Sequence, residues 1–405
     1  MINWNKIVVF GAGKIGRSFI GQLFSRGGYE VVFIDVFKPV IDELNLKNQY
    51  KVIIKSETEE TLLITNVRGV LAGDEDKVIE EVSSAGILAV SIGQKGLTAA
   101  LPLIAKGVLR RQSDSPDSAL DIIIAENLRN AADYFRNELK QFLPDNFQLD
   151  RLVGLIETSI GKMVPIMTKK DMEDDVLQVF AEPYNTLILD KKGFRNPIPE
   201  IEGLSPKENM KAWVDRKLFI HNLGHAATAY LGYQYNPEFK FLHEALAVPE
   251  LHEQVRETML QSAHILLTKY PEDFILNTLT EHIDDLLFRF QNKALGDTVF
   301  RVGCDLKRKL SAEDRLAGAI HLALELNLPY DKILFSLVAG CYFRAGNEHG
   351  QLLPDDLEFA EFLEKGFLNV LSNICGFDSV KDKNIFDQAE LITSGFKDFH
   401  KHKNR

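Results

Sequence analysis

An apolar strand that breaks into three spaced glycines constrains this 405-residue chain more than any other feature. The segment from Lys6 to Phe10 is a short apolar run of the kind buried in a parallel sheet. It leads directly into Gly11, Ala12, Gly13, Lys14, Ile15 and Gly16, a G-x-G-x-x-G. A helical apolar period follows from Arg17 to Phe24, and then a second strand, Tyr29 to Asp35, ends in an acid. Each position has a physical role. Gly11 permits the tight turn, Gly13 lets backbone approach a pyrophosphate, and Gly16 lets helix pack on strand. The start of the helix offers unpaired N–H groups and a positive dipole end to phosphates. Asp35 follows Gly16 by nineteen residues, where a carboxylate accepts hydrogen bonds from the adenosine ribose and repels a 2′-phosphate. The glycines alone are generic. With strand, helix, second strand and acid in order, they predict a dinucleotide-binding unit that uses NAD rather than NADP.

The alternation continues. Residues 85–91, 121–125 and 152–156 read as further strands, and 110–121 reads as a polar surface loop. Asn127 and the segment 158–162 fall just beyond strand ends, where open parallel sheets bind ligands. From about Pro197 the chain becomes turn-rich and then almost wholly helical in period, for example over 241–246, 255–267 and 357–371. The expected fold is therefore α/β: a Rossmann-type doubly wound N-terminal domain over 1–198, then a mostly α-helical substrate domain over 199–392. A basic tail, 393–405, is expected to be flexible.

A second pattern lies in the helical part. Lys217, Asn222 and His225 have the spacing K-x4-N-x2-H, and at about 100° per residue they project to one side of a helix. Phe219, Ile220, Leu223, Ala226 and Ala227 project to the other. One face packs while the other presents an amine, an amide and an imidazole, groups able to take a proton, hold an oxygen and orient a hydroxyl. A solvated polar face has the same pattern.

Bulk properties narrow the classes. A net charge of −11 argues against nucleic acid as partner. Cys304, Cys341 and Cys375 are odd in number and widely spaced, giving neither a disulfide framework nor a metal knuckle, as expected in a reducing cytoplasm. No apolar run is long enough for a membrane span. The surface is compatible with a monomer or a homodimer.

Taken together, these segments resemble the polyol-specific long-chain dehydrogenases, the mannitol dehydrogenase family. The likeness covers most of the chain. It is carried by residues 10–21, by the block from Arg216 to Gly232, which holds the K-x4-N-x2-H followed by Ala229, Tyr230, Leu231 and Gly232, and by Arg308 to Leu316. It implies a metal-independent enzyme that interconverts a secondary alcohol and a ketose with NAD. In this likeness Lys217 is general acid and base, Asn222 and Asn127 hydrogen-bond the developing alkoxide, and His225 holds a neighbouring substrate hydroxyl. A lysine works near neutral pH only if burial or a nearby cation lowers its pKa. Cations at Arg308 and Lys309, with Arg344 as a further candidate and Lys307 and Arg315 nearby, suit an anionic substrate group. The blocks look nearest to the branch that acts on mannitol 1-phosphate and fructose 6-phosphate. Branches acting on uronates or on free mannitol share the lysine helix and stay open.

One departure stands out. Family members carry Asp-Arg after the strand near residue 155, where this chain has Gly161 and Lys162; Glu126 and Glu157 are the candidates to supply the missing acid. Two other classes remain: a zinc enzyme using His221 and His225, which lacks an H-E-x-x-H and a clear third ligand, and an NAD-binding protein without turnover.

Overall fold

The computed structural model describes residues 1–403, apart from the side chains of Lys169 and of 397–403. Its backbone divides into two compact units, Met1–Trp213 and Val214–Arg405.

The first unit is built on strands β1 (Asn3–Phe10), β2 (Glu30–Asp35), β3 (Gln49–Lys55), β4 (Glu59–Thr65), β5 (Val67–Leu71), β6 (Ala85–Val90), β7 (Leu120–Ile124), β8 (Val153–Ser159), β9 (Val179–Ala181), β10 (Leu187–Asp190) and β11 (Leu204–Lys207). Eight of them form one sheet in the order β11-β10-β8-β7-β6-β1-β2-β5. From β5 across to β8 every pairing is parallel. Apolar runs without alternation suit this sheet because both faces are covered. Ile7, Val9, Phe33 and Ala89 enter the core on one face, and Val8, Phe10, Val32 and Leu88 the core on the other. Each fully buried aliphatic side chain of this kind contributes about 1.5–3 kcal/mol. The chain runs outward from β1 through β2 to β5, then returns to β6 on the other side of β1. That reversal opens a crevice at the carboxyl ends of β1 and β6.

Three features go beyond the sequence reading. A separate three-stranded sheet, β4-β3-β9, flanks the main one. Strand β10 pairs antiparallel to β8 and parallel to β11, so the expected boundary at residue 198 falls between two strands of one sheet. Of the segment read as a loop over 110–121, residues 110–114 are the end of the helix Gln94–Asp114, 115–119 form the turn, and 120–121 open β7. Polarity misled there. Arg111 is buried and spends its guanidinium on the carbonyls of Ser83, Ala85, Ser118 and Ala119.

The second unit is helical. Its central helix, Leu223–Tyr235, is buried nearly all round and packs against Pro249–Lys269, Val299–Gly303 and Asp331–Cys341. Gly224 lets the helices close, since a Cβ there would lie 2.4 Å from the sulfur of Met259. The helix expected over 357–371 is two, Pro354–Glu364 and Phe367–Asn373, broken at Gly366 with φ 128°. The segment read as a tail from 393 continues the helix Lys383–Lys403; residues 404–405 lie outside the described residues. Among the described residues no helix is long and apolar enough to cross a membrane.

Candidate active site

In the sheet unit the glycine loop divides by function. Gly11 has φ +102°, and a Cβ there would lie 2.4 Å from the Ser91 carbonyl. A Cβ on Gly16 would lie 1.9 Å from the Gly11 carbonyl. The protein's own packing requires both. A Cβ on Gly13 would meet nothing within 4 Å, so its backbone is open to a ligand. The helix begins at Lys14, with Gly13 accepting from the Arg17 N–H at 3.0 Å. The first-turn N–H groups of Lys14, Ile15 and Gly16 therefore head the crevice. Arg17 braces the loop from beneath: it is buried and donates to the carbonyl of Ala12 at 2.6 Å and to those of Val176 and Leu177.

Asp35 accepts from the Ala12 N–H at 2.7 Å and the Phe37 N–H at 2.9 Å. It lines a cleft of about 700 Å³ with Gly11, Gly13, Val36, Ala72 and Leu103. Largely apolar walls with the Asp35 carboxylate beside the glycine turn, and Glu75 paired with Lys106 farther along, fit an adenosine, and an open glycine backbone at the head of a helix fits its phosphates. The Lys38 ammonium pairs with Asp42 on its own helix, at 2.6 Å.

The loops after β7 and β8 are tied down. Glu126 accepts from the N–H groups of Ile92 (2.6 Å) and Gly93 (2.9 Å), and burial raises its pKa. Glu157 accepts from the Ala132 N–H at 2.9 Å. Asn127 is exposed at the carboxyl end of β7. Lys162 is buried, donates to the Tyr184 carbonyl (2.8 Å) and the Asn185 amide oxygen (2.9 Å), and lies over the Phe19 ring. The buried carboxylate beside it in sequence contact is Glu182, which accepts from the Met163 N–H.

In the helical unit, the lysine segment departs from the expected α-helix. Lys217–Asn222 is a π-helical turn inserted between the helices Met210–Arg216 and Leu223–Tyr235. A π turn closes i→i+5 hydrogen bonds and holds more residues per turn than an α-helix, so it brings Lys217 and Asn222 nearer to a common face than an α-helix, which would splay them by about 140°. The Lys217 side chain is largely enclosed by protein. Desolvation, and then the positive charge of Arg315, lower its pKa to about 8. Arg315 is buried, pairs with Asp314 at 2.8 Å and donates to the Asn222 carbonyl at 3.3 Å.

His225 lies beyond the π turn. Its Nε2 is 2.9 Å from the Asp297 carboxylate, and its ring stacks on Phe290 with centroids 4.7 Å apart. Burial, then Arg301, Arg315, Lys309 and Arg289, hold its pKa well below the usual histidine range, so the ring is neutral. His221 is buried and neutral for similar reasons. Among the described residues no group of three or more His, Cys, Asp or Glu side chains is placed to hold a metal ion.

The predicted cations separate. Lys309 is buried, donates to the Val302 carbonyl at 2.7 Å, and has its pKa lowered to about 8 by desolvation and then Arg315. Arg308 is half exposed and pairs with Asp305 and Asp314. Arg344 turns to the carbonyls of Cys341 (3.0 Å) and Phe343 (2.6 Å). Arg315 thus touches the Asn222 carbonyl and its charge is felt at Lys217, His225 and Lys309, whereas Arg308 and Arg344 bond to other partners. The sequence reading did not name Asp297, Arg301 or Phe290 and named Arg315 only beside the candidate cations; the structure brings Asp297 and Phe290 against His225, Arg301 against Asp297, and Arg315 against the Asn222 carbonyl. The only signal for Asp297 and Arg301 is an i, i+4 spacing of opposite charges.

Residues 5–203 match the family model described as the mannitol dehydrogenase Rossmann domain, and residues 209–383 that of the mannitol dehydrogenase C-terminal domain. Two solved structures share the fold. D-sorbitol dehydrogenase in substrate-free form aligns with a TM-score of 0.80 at 17% identity, over 96% of this chain and 92% of that one. Pseudomonas fluorescens mannitol 2-dehydrogenase, solved as a ternary complex with NAD and D-mannitol, aligns at 0.70 and 17% identity, over 98% and 94%.

Proposed function

The chain belongs to the mannitol dehydrogenase family, and on that premise we propose that it is an NAD-dependent polyol dehydrogenase whose substrate carries an anionic group, mannitol 1-phosphate in one direction and fructose 6-phosphate in the other. The observation that carries the reading is the π turn. It brings an amine with a pKa of about 8 nearer to the face of an amide, one turn before a neutral imidazole.

Bound NAD supplies the hydride acceptor. The protein's own groups do the rest. Neutral Lys217 takes the proton from the substrate's secondary hydroxyl as the hydride leaves, and its ammonium returns it in ketose reduction. A group poised near ambient pH serves both directions. The Asn222 amide donates to the oxygen as it becomes an alkoxide, a charge far more costly unaided in a low-dielectric site. Asn127 is proposed as a second amide donor on its place at the end of β7. His225 accepts from a neighbouring hydroxyl and so orients the carbon chain. Gly11 to Gly16 hold the pyrophosphate and Asp35 the ribose.

The case for an anionic substrate rests on charge. The charges of Arg289, Arg301, Lys309 and Arg315 all act on His225; Asp285, Asp297 and Asp314 pair with three of them and leave Lys309 without a carboxylate partner among the described ion pairs. That excess favours a phosphate, held by Arg315 and Lys309 with Arg308 and Arg344 as outer candidates. A uronate carboxylate meets the same cations and is the second reading. NADH oxidation by purified protein with fructose 6-phosphate, fructose, fructuronate and tagaturonate, in the presence of a chelator, tests it. Turnover on fructose 6-phosphate alone supports the phosphate reading. Turnover on a uronate transfers the cations to a carboxylate, and silence on all four defeats the enzyme reading.

A further inference from the structure

Histidine is ambivalent as a substrate-holding residue, because a neutral ring has one N–H and one lone pair and either nitrogen can carry the proton. The helical unit removes the ambivalence. We propose that Asp297 is a positioning residue that fixes the tautomer of His225, placing the proton on Nε2 so that Nδ1 offers a lone pair to a substrate hydroxyl. The inference rests on the reading of His225 given above.

Three contacts carry it. The Asp297 side chain is 4% exposed, and its Oδ2 lies 2.9 Å from His225 Nε2. Its Oδ1 is paired with the Arg301 guanidinium, which keeps the group a carboxylate, an acceptor only. The Phe290 ring, inclined 16° to the imidazole, holds its plane and prevents it from turning away. The charged and titratable groups that act on the ring are His221, edge-on to it, Asp297, bonded to Nε2, and the cations Arg289, Arg301, Lys309 and Arg315, whose charges reach it. Four of the six are cations, so a second proton is opposed and the ring stays neutral. With Asp297 accepting at Nε2, the remaining nitrogen can only accept. A substrate hydroxyl must then donate to it, which frees the hydroxyl oxygen for a cationic neighbour. Asp297 itself is held by its chain: its carbonyl accepts from the Leu242 N–H at 3.0 Å, and Thr298 caps the helix that brings Arg301 round.

Asp297→Asn tests the claim. Arg301 retains the amide oxygen, so the amide N–H₂ faces Nε2, which must then accept, and the proton moves to Nδ1. The experiment uses the full chain with 15N-labelled histidine, the His225 signal being assigned by its loss in His225→Gln. The expected result is an Nε2–H ring in the wild type and an Nδ1–H ring in Asp297→Asn. Turnover (kcat/KM) should fall roughly 10- to 100-fold, with NADH affinity and melting temperature held. Asp297→Glu should restore both the tautomer and part of the rate. A wild-type ring protonated at Nδ1, or doubly protonated near neutral pH, overturns the proposal even if Asp297→Asn does not fold. So does a tautomer change without loss of turnover, or a loss without a tautomer change. A wild type silent on every polyol defeats the functional reading instead, and the nitrogen spectra then decide the tautomer on their own.

Discussion

The Arg315 guanidinium donates to the backbone carbonyl of Asn222 at 3.3 Å, so a permanent cation lies against the turn that carries Lys217. Its charge is the second cause, after desolvation, of the low lysine pKa. Removing a like charge favours the protonated amine. In Arg315→Met the pH midpoint of polyol oxidation should therefore rise by about one unit. A pH–rate profile of the variant checks this, and an unmoved midpoint separates Arg315 from Lys217.

The same cation is predicted to serve the substrate. Arg315→Met should raise KM for the phosphorylated ketose roughly 100-fold, the loss expected for a buried charge-assisted contact. Arg308→Ala should change it less than about 3-fold, because an exposed arginine already paired with two carboxylates contributes little. Steady-state kinetics on both variants order the two residues; equal effects would return Arg308 to the anion site.

Asp35 joins the turn to the cofactor. It already accepts from Ala12 and Phe37, so Asp35→Asn keeps part of the loop geometry while removing the charge. NADH affinity should fall roughly 10- to 100-fold, the worth of hydrogen bonds to a charged group, and discrimination against NADPH should relax. Fluorescence titration with both cofactors measures this, and an unchanged preference removes Asp35 from the ribose site.

Asp121 is a structural counterpart. This buried carboxylate on β7 accepts the backbone N–H groups of Arg195 (2.8 Å) and Asn196 (3.0 Å), tying the edge of the sheet to its centre. Gly154 leaves room for it, since a Cβ there would lie 2.0 Å from its oxygen. Asp121→Ala takes the acceptor from three part-buried donors, the N–H groups of Arg195 and Asn196 and the Asn196 side-chain amide, and should cost about 2–4 kcal/mol. Thermal denaturation should show a lower melting temperature with wild-type kinetic constants below the transition; an unshifted melting temperature would mean water replaces the carboxylate.

The sheet was legible because buried parallel strands are continuous apolar runs and the glycine spacing is dictated by backbone contacts. Gly11 and Gly16 tolerate no Cβ, so their positions speak for themselves. The residues of the lysine segment were legible too, but the π turn was not. A wheel of 3.6 residues per turn places Lys217 and Asn222 far apart on one side, whereas the inserted turn brings them nearer to a common face. Arg111 was misread because charge in sequence looks like surface, although its guanidinium satisfies four buried carbonyls. Asp297 was not legible, and Arg315 was legible only as one more nearby cation, because their contacts lie 72 and 93 residues away, which no local pattern records.

The most direct test of the central claim is the pH dependence of kcat/KM in both directions, in the wild type and in Lys217→Ala. The amine must be neutral to take a proton and charged to give one. Polyol oxidation should therefore rise, and ketose reduction fall, as pH passes through about 8, the pKa to which burial lowers Lys217. Lys217→Ala should lose both limbs and roughly 10²–10⁴-fold in rate while still binding NADH. A Lys217→Ala variant that keeps the wild-type profile and rate would contradict the account.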